Sequence, residues 1–178
     1  MKKQTASRAA LRRLCVTAVM TALAVIFCRV LGFPTTGIWR VEFSFLPLYL
    51  VALLYGPLWC GMSSLAADLI GGLLTTGINP LIALVKFLTG VLLGVCFYKR
   101  DRAGLPRILV GMFLISLLFD FLAMAVIMHV YFSHTWEQAL LFRGVNAGVN
   151  FLLRSAVLWV ADTYIAHRIL RERGKYLD

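Results

Sequence analysis

Long apolar runs separated by short polar connections determine which solvent this chain can fold in. The runs are about 15 to 25 residues long, hydrophobic residues make up 61% of the chain, and charged residues only 15%. A soluble domain is about half apolar, so most of this chain must face lipid. In lipid every backbone N–H and C=O needs an internal partner, which permits only helices or a closed barrel. Runs of this length without alternation favour helices, and we predict an all-α integral membrane protein.

The runs and the turn formers between them predict six transmembrane helices in a single membrane domain, residues 1–178. Gly56-Pro57 divides the second helix from the third, because proline lacks a backbone donor and disfavours helix at the preceding residue. A basic start before an apolar run also occurs in signal peptides, but no small-residue cleavage pattern follows, so we expect an uncleaved first helix. The predicted helices cover about 14–31, 42–55, 58–74, 81–98, 107–131 and 143–166.

The distribution of lysine and arginine predicts the orientation. Of the 18 basic residues, 13 lie in the N-terminal tail, the 99–107 connection and the tail after residue 167. With six spans these three segments share one side of the membrane, and basic flanks mark the cytoplasmic side. We therefore expect both termini in the cytoplasm. The basic cytoplasmic flanks account for the net charge of +10, so this charge does not indicate nucleic-acid binding.

The cysteines predict neither a disulfide framework nor a zinc site. All four fall within or beside apolar runs, and no two form a CxxC pair, so we interpret them as small apolar side chains and expect no metal and no cofactor. They are Cys15, Cys28, Cys60 and Cys96.

A second group of basic residues lies outside the cytoplasmic flanks and in the outer part of the predicted helices. A charge within the bilayer costs at least a few kcal/mol, so such residues usually mark a site or pair internally. Two asparagines follow the outermost arginine of helix six at positions that share its face. We predict an outward-facing pocket for an anionic ligand carrying carboxylates; the alternative is that the basic side chains snorkel to the interface. The predicted polar members are Arg29, Arg40, Lys86, Arg143, Asn146 and Asn150.

Aromatic side chains near the same end of the helices are candidates to stack on a planar ligand ring. Each of them also fits a lipid-facing belt or the core. The candidates are Trp39, Phe43 and Phe87, with Phe33 and Phe45 nearby.

Asp68, Asp120 and Arg154 fall near the predicted midplane. Two acids and one base at similar depth predict a structural charge network that locks helix packing. The two aspartates would also suit an intramembrane enzyme, but no HExxH motif, nucleophile turn or metal-ligand spacing accompanies them. We therefore predict no catalytic residues.

Small residues four apart on helices one and three allow another helix to approach closely. They serve either internal packing or docking to a partner membrane subunit. The predicted docking residues are Ala18, Ala22, Ser63 and Ala67. The chain has no nucleotide-binding motif, so an energised partner would have to drive any uphill transport.

Three segments carry a resemblance to a known family. The run from Arg40 to Pro57, with its Phe-Ser-Phe-Leu-Pro core, resembles the second helix of energy-coupling-factor transporter S components, most of all the folate-specific ones. Ala67-Asp-Leu-Ile-Gly71 and Lys86-Phe-Leu-Thr-Gly-Val-Leu-Leu-Gly94 match further signatures at similar spacing. Lys86 and the run 143–150 depart from the folate-specific pattern.

The resemblance implies a vitamin-binding subunit of the bacterial plasma membrane that delivers folate or a related pterin by toppling in the bilayer. It implies a transmembrane coupling subunit and two cytoplasmic ATPase subunits as partners. Ligand would bind at the outer face under the 32–41 loop, with Arg29 at a basic position that meets its acidic tail and Ala18 and Ala22 on the docking surface. The alternatives are an S component for another vitamin or precursor, or a scaffold of the rod-shape morphogenesis type, which would not need the outer polar cluster.

Overall fold

The computed structural model describes residues 2–29, 34–35, 39–40, 43–74, 77, 79–98, 104–132 and 135–166, and these residues contain six helices. The predicted all-α membrane fold is confirmed. Within the connection that follows the first helix, β1 (Pro34–Thr35) and β2 (Trp39–Arg40) form a short antiparallel pair. The helices are α1 (Lys2–Arg29), α2 (Phe45–Tyr55), α3 (Pro57–Leu74), α4 (Pro80–Phe97), α5 (105–132) and α6 (136–166).

Two of these helices contain π-helical turns. In α5 the stretch Ser116–Ala123 is π-helical, between α-helical Leu105–Ile115 and Met124–Phe132. In α6 the α-helical part is Trp136–Ala161, and Asp162–Ala166 is π-helical. A π turn widens the helix and rotates the residues after it to a different face, and such turns are frequent at functional sites.

Five of the six helices are long and apolar enough to cross a membrane. Their outer faces carry exposed apolar side chains such as Leu58, Leu73 and Val95, which suits a surface solvated by lipid. The remaining helix, α2, has 11 residues and is about 16 Å long, well short of the roughly 30 Å hydrocarbon core.

The short helix α2 lies at the centre of the bundle. Nine of its 11 residues are buried, and it packs against α1, α3, α4 and α6. A helix that is apolar all round belongs in the interior. It ends at Tyr55 and is capped by Gly56, whose φ of 91° suits glycine, and Pro57 immediately starts α3.

Helices α3 and α4 pack against each other more closely than any other pair in the described structure. A Cβ atom added at Gly94 would lie 2.2 Å from the Cα atom of Pro57, and one at Gly90 would lie 2.8 Å from the carbonyl oxygen of Cys60. The Ser64 hydroxyl also donates a 2.8 Å hydrogen bond to the carbonyl of Lys86. Small residues at a crossing permit this approach, so α3 and α4 form one firm wall.

Helices α5 and α6 pack mainly against each other and form a second wall. The Ser116 hydroxyl donates to the Ala147 carbonyl at 3.0 Å, and Arg154 forms an ion pair with Asp120. This wall is tied to the core through Tyr49 of α2, whose hydroxyl donates a 2.6 Å hydrogen bond to Asp162.

Two helices start earlier than the sequence patterns predict. Helix α6 begins at Trp136 and not near 143, since extended backbone at Thr135 and an acid at Glu137 provide N-terminal helix signals. Helix α1 begins at Lys2 and not near 14, because the Lys, Gln, Ala and Arg residues before the apolar run are strong helix formers.

Replacing Gly94 by alanine should destabilise the protein by about 1–3 kcal/mol, because the new methyl group collides with the backbone of Pro57. Gly148→Ala is the matched control: it also adds a methyl group within a helix, but nothing lies within 4 Å of it. Because alanine has a higher helix propensity than glycine, the stability of the control should be unchanged or slightly higher. Unfolding of both variants in detergent micelles tests this, and equal stability would contradict the close α3–α4 crossing.

Replacing Arg154 by methionine should cost about 3–5 kcal/mol, because it leaves the carboxylate of Asp120 partly buried without its cation. Adding Asp120→Asn should recover part of that loss. Arg107→Met is the matched control, since Arg107 is exposed and its one side-chain hydrogen bond to a described residue goes to the carbonyl of Cys96, which contributes about 1 kcal/mol. Unfolding should show the unmodified protein as the most stable, followed by Arg107→Met, then the Arg154→Met/Asp120→Asn double variant, and Arg154→Met as the least stable. An Arg154→Met variant as stable as Arg107→Met would refute the structural role of the ion pair.

Candidate ligand-binding cavity

A cavity lies between the α3–α4 wall and the α5–α6 wall, with about 700 Å³ of free space including its open mouth. Its apolar lining includes Phe45, Leu48, Leu93, Met112 and Ile115. Its polar lining among the described residues consists of Ser44, Ser64, Asp68, Lys86, Thr89, Asp120 and Arg154.

The lining also shows at which end of the bundle the cavity lies. Cys28 belongs to the last turn of α1, and Ser44 and Phe45 lie at the start of α2. The cavity is therefore at the end to which the 30–43 connection is attached. Arg12 and Arg13 lie toward the other end of α1, more than ten residues away.

Four ionisable side chains from four helices line this one cavity. Asp68 lies six residues before Leu74, where α3 ends, and Lys86 lies six residues after Pro80, where α4 begins. Both are thus about 9 Å from the same end of the bundle, and both belong to the α3–α4 wall. The sequence predicts Lys86 in the outer set and Asp68 in the midplane network, but in the structure both line the same cavity.

Asp120 and Arg154 lie on the opposite wall as an ion pair. Arg154 is only 8% exposed, and its guanidinium carbon lies 6.0 Å from the centroid of the Phe45 ring, at the limit of a cation–π contact. Asp120 belongs to the π-helical stretch of α5. The cavity therefore contains two carboxylates and two cations within apolar walls, an arrangement suited to a ligand with both hydrogen-bond donors and acidic groups.

The other polar residues predicted for the pocket lie along α6 before Arg154. The Nε atom of Arg143 contacts the sulfur of Met128 on α5 at 3.2 Å. Asn150 is buried, and its amide donates to the side-chain oxygen of Asn146 at 2.9 Å. Arg143, Asn146 and Asn150 are not among the described residues that line the cavity.

The aromatic candidates are divided between the cavity and the helix packing. Phe45 lines the cavity, and the ring of Phe43 lies 6.5 Å from it, centroid to centroid. Phe87 packs against α3, where its ring faces Gly61. Phe33 lies outside the described residues, as do the side chains of Arg29, Trp39 and Arg40.

A separate groove runs between α1 and α3 on the outside of the bundle, with about 1110 Å³ of free space including its open side. Three of the predicted docking residues, Ala18, Ala22 and Ser63, line this groove. The fourth, Ala67, lines the central cavity. The small residues of α3 therefore face two different spaces.

Two polar lining residues outside the predicted set could have been found from their spacing to the charged residues. Ser64 precedes Asp68 by four positions, and Thr89 follows Lys86 by three. Residues at these separations share a helix face, so each charge indicates a polar neighbour on the same stripe.

Comparisons with known proteins identify the family of the chain. The family described as "ECF transporter, substrate-specific component" matches residues 12–161. The "Folate transporter FolT" of Clostridium novyi is 24% identical over 146 residues, which cover 81% of this chain and 84% of that protein. The protein of the same name from Leuconostoc mesenteroides is 27% identical over 139 residues, covering 74% of this chain and 72% of the relative.

The fold is also shared with a solved structure, described as "Crystal structure of FolT bound with folic acid". The two superpose with a TM-score of 0.77 at 22% identity, over 84% of this chain and 92% of the other. The family expected from the sequence motifs is confirmed by a match that spans most of the chain. The chain belongs to the substrate-specific components of energy-coupling-factor transporters.

Proposed function

We propose that this substrate-specific component binds folate or a related pterin in the cavity between the two helix walls and presents it for ATP-driven uptake. Membership of the family makes the chain the substrate-binding part of a transporter, and neither an enzyme nor a scaffold. The observation that supports the ligand most strongly is one cavity lined by Asp68, Lys86, Asp120 and Arg154 within apolar walls. The folate transporters among its relatives support the same ligand class.

The chemistry of folate matches that lining. Its pterin ring is planar and carries N–H donors along one edge, for which a carboxylate is the strongest acceptor. Its glutamate tail carries two carboxylates, which suit Lys86 and Arg154. Apolar side chains such as Phe45 and Met112 would cover the ring faces.

We also propose an orientation in the membrane and partner subunits for this chain. Both termini would face the cytoplasm of a bacterial cell, because the basic starts of α1 and α5 mark one end of the bundle. The cavity at the opposite end would then open to the outside. A transmembrane coupling subunit and two cytoplasmic ATPase subunits would supply the energy, with the α1–α3 groove as the docking face.

Another vitamin or precursor is the second candidate for the same cavity. The reason to test it is Lys86, a cavity residue at which the sequence departs from the folate-specific pattern, although the folate transporters among the relatives support folate. Mass spectrometry of the small molecule that co-purifies from the membrane distinguishes the two candidates directly.

Lys86→Met should weaken folate binding by about tenfold or more, a loss of about 1.4 kcal/mol or greater, because it removes a cation from the cavity. Titration calorimetry on the purified protein measures this. Arg107→Met removes a cation outside the cavity and should leave the affinity unchanged. Folate affinity unaffected by Lys86→Met would remove Lys86 from the site, and no folate binding by the unmodified protein would refute the folate assignment.

Ala18→Trp should abolish folate uptake by reconstituted transporter and leave folate binding intact, because the indole fills the groove and blocks the coupling subunit. Val19→Trp is the matched control: Val19 is 59% exposed, is not among the groove residues, and should tolerate the ring in lipid. Loss of binding together with uptake in the Ala18 variant would indicate internal packing and not docking.

A further inference from the structure

The three hydroxyl groups that line the groove between α1 and α3 all donate to backbone carbonyls of their own helices. The hydroxyl of Thr17 donates to the carbonyl of Arg13 at 2.7 Å, and that of Thr21 donates to the carbonyl of Thr17 at 2.8 Å. Across the groove the Ser63 hydroxyl donates to the carbonyl of Trp59 at 2.8 Å. Each donor is thus used within its own helix, and the groove is suited to an apolar occupant.

The walls of the groove are exposed to the membrane interior. Leu14 and Ile26 of α1 and Met62 and Ile70 of α3 are all roughly half exposed. A groove of this kind in a membrane-spanning region is adjacent to lipid acyl chains along its whole length.

One end of the groove is basic. Arg12 and Arg13 directly precede Leu14, the first residue of the groove lining. The ring of Tyr55, the last residue of α2, lies 6.3 Å from that of Trp59, another lining residue. The Nε atom of Arg13 is buried and has no hydrogen-bond partner among the described residues.

These observations together favour an anionic amphiphile. We infer that the α1–α3 groove is a binding site for an anionic phospholipid, with one acyl chain along the groove and the phosphate at Arg12 and Arg13. Basic pockets between transmembrane helices on the cytoplasmic side are suited to anionic head groups, and aromatic rings such as those of Tyr55 and Trp59 are typical of the membrane interface.

The site has a consequence for transport, and that consequence rests on the proposed function. If the coupling subunit docks on Ala18 and Ala22, it must displace the lipid from the same groove. A bound competitor weakens docking by mass action, so anionic lipid would hold the free subunit apart from the coupling subunit until exchange occurs. The lipid site itself does not depend on which vitamin the cavity binds.

Native mass spectrometry of the purified full-length protein tests the site, with phosphatidylglycerol and phosphatidylcholine of identical acyl chains as probes. The unmodified protein should retain phosphatidylglycerol preferentially. Arg12→Gln combined with Arg13→Gln should reduce that retention by about tenfold or more, whereas Arg107→Gln should not. Ala18→Trp should reduce retention of both lipids, whereas Val19→Trp should not.

Equal retention of the two lipids, or a double arginine variant that behaves like the Arg107 variant, would overturn the inference. A dimer of this chain in place of a lipid adduct would overturn it as well. A cooperative thermal unfolding transition checks that each variant is folded. If Ala18→Trp does not fold, Ala22→Leu is used in its place. Folate affinity measured on the same samples separates the two proposals. Unmodified protein that binds folate but shows no preference for phosphatidylglycerol refutes only the lipid site, and unmodified protein that retains phosphatidylglycerol but binds no folate refutes only the folate assignment.

Discussion

The free-energy cost of placing a charge in lipid determines where the charged side chains of this molecule lie. A charged side chain within the bilayer costs at least a few kcal/mol unless it is paired or reaches polar space. Four ionisable side chains from four helices therefore share one cavity, and one pair of them, Asp120 and Arg154, is directly joined. Elsewhere the described helices present apolar side chains outward. The pocket and the hydrophobic exterior are thus two consequences of the same constraint.

The way in which the helices pack creates the space that these charges occupy. Helices α3 and α4 approach closely at Gly90 and Gly94, whereas α5 and α6 pack mainly against each other. The short, buried helix α2 separates the two walls and is held to α6 by the hydrogen bond from Tyr49 to Asp162. Because α2 is too short to fill the full depth of the bundle, a cavity remains beside its first turn.

Hydropathy and turn residues were sufficient to predict the membrane class and the number of helices, because lipid requires continuous apolar helices. Convergence of side chains was harder to predict. It depends on how each helix is rotated about its axis. The π-helical stretch around Asp120 changes the face on which the following residues lie, and no sequence signature marks that stretch. Depth counted along single helices separated Lys86 from Asp68, although the ends of α3 and α4 place them at the same level. Ala67 likewise belongs to a small-residue stripe but lines the cavity.

We propose that the buried charges bind the ligand as well as holding the helices together. A crystal or cryo-electron microscopy structure of the protein with its bound vitamin tests this proposal. We expect ligand density between the two helix walls, with polar ligand atoms within hydrogen-bond distance of Lys86 and of at least one of the two cavity carboxylates. Ligand held only by the 30–43 connection, with no contact to the four charged side chains, would contradict it.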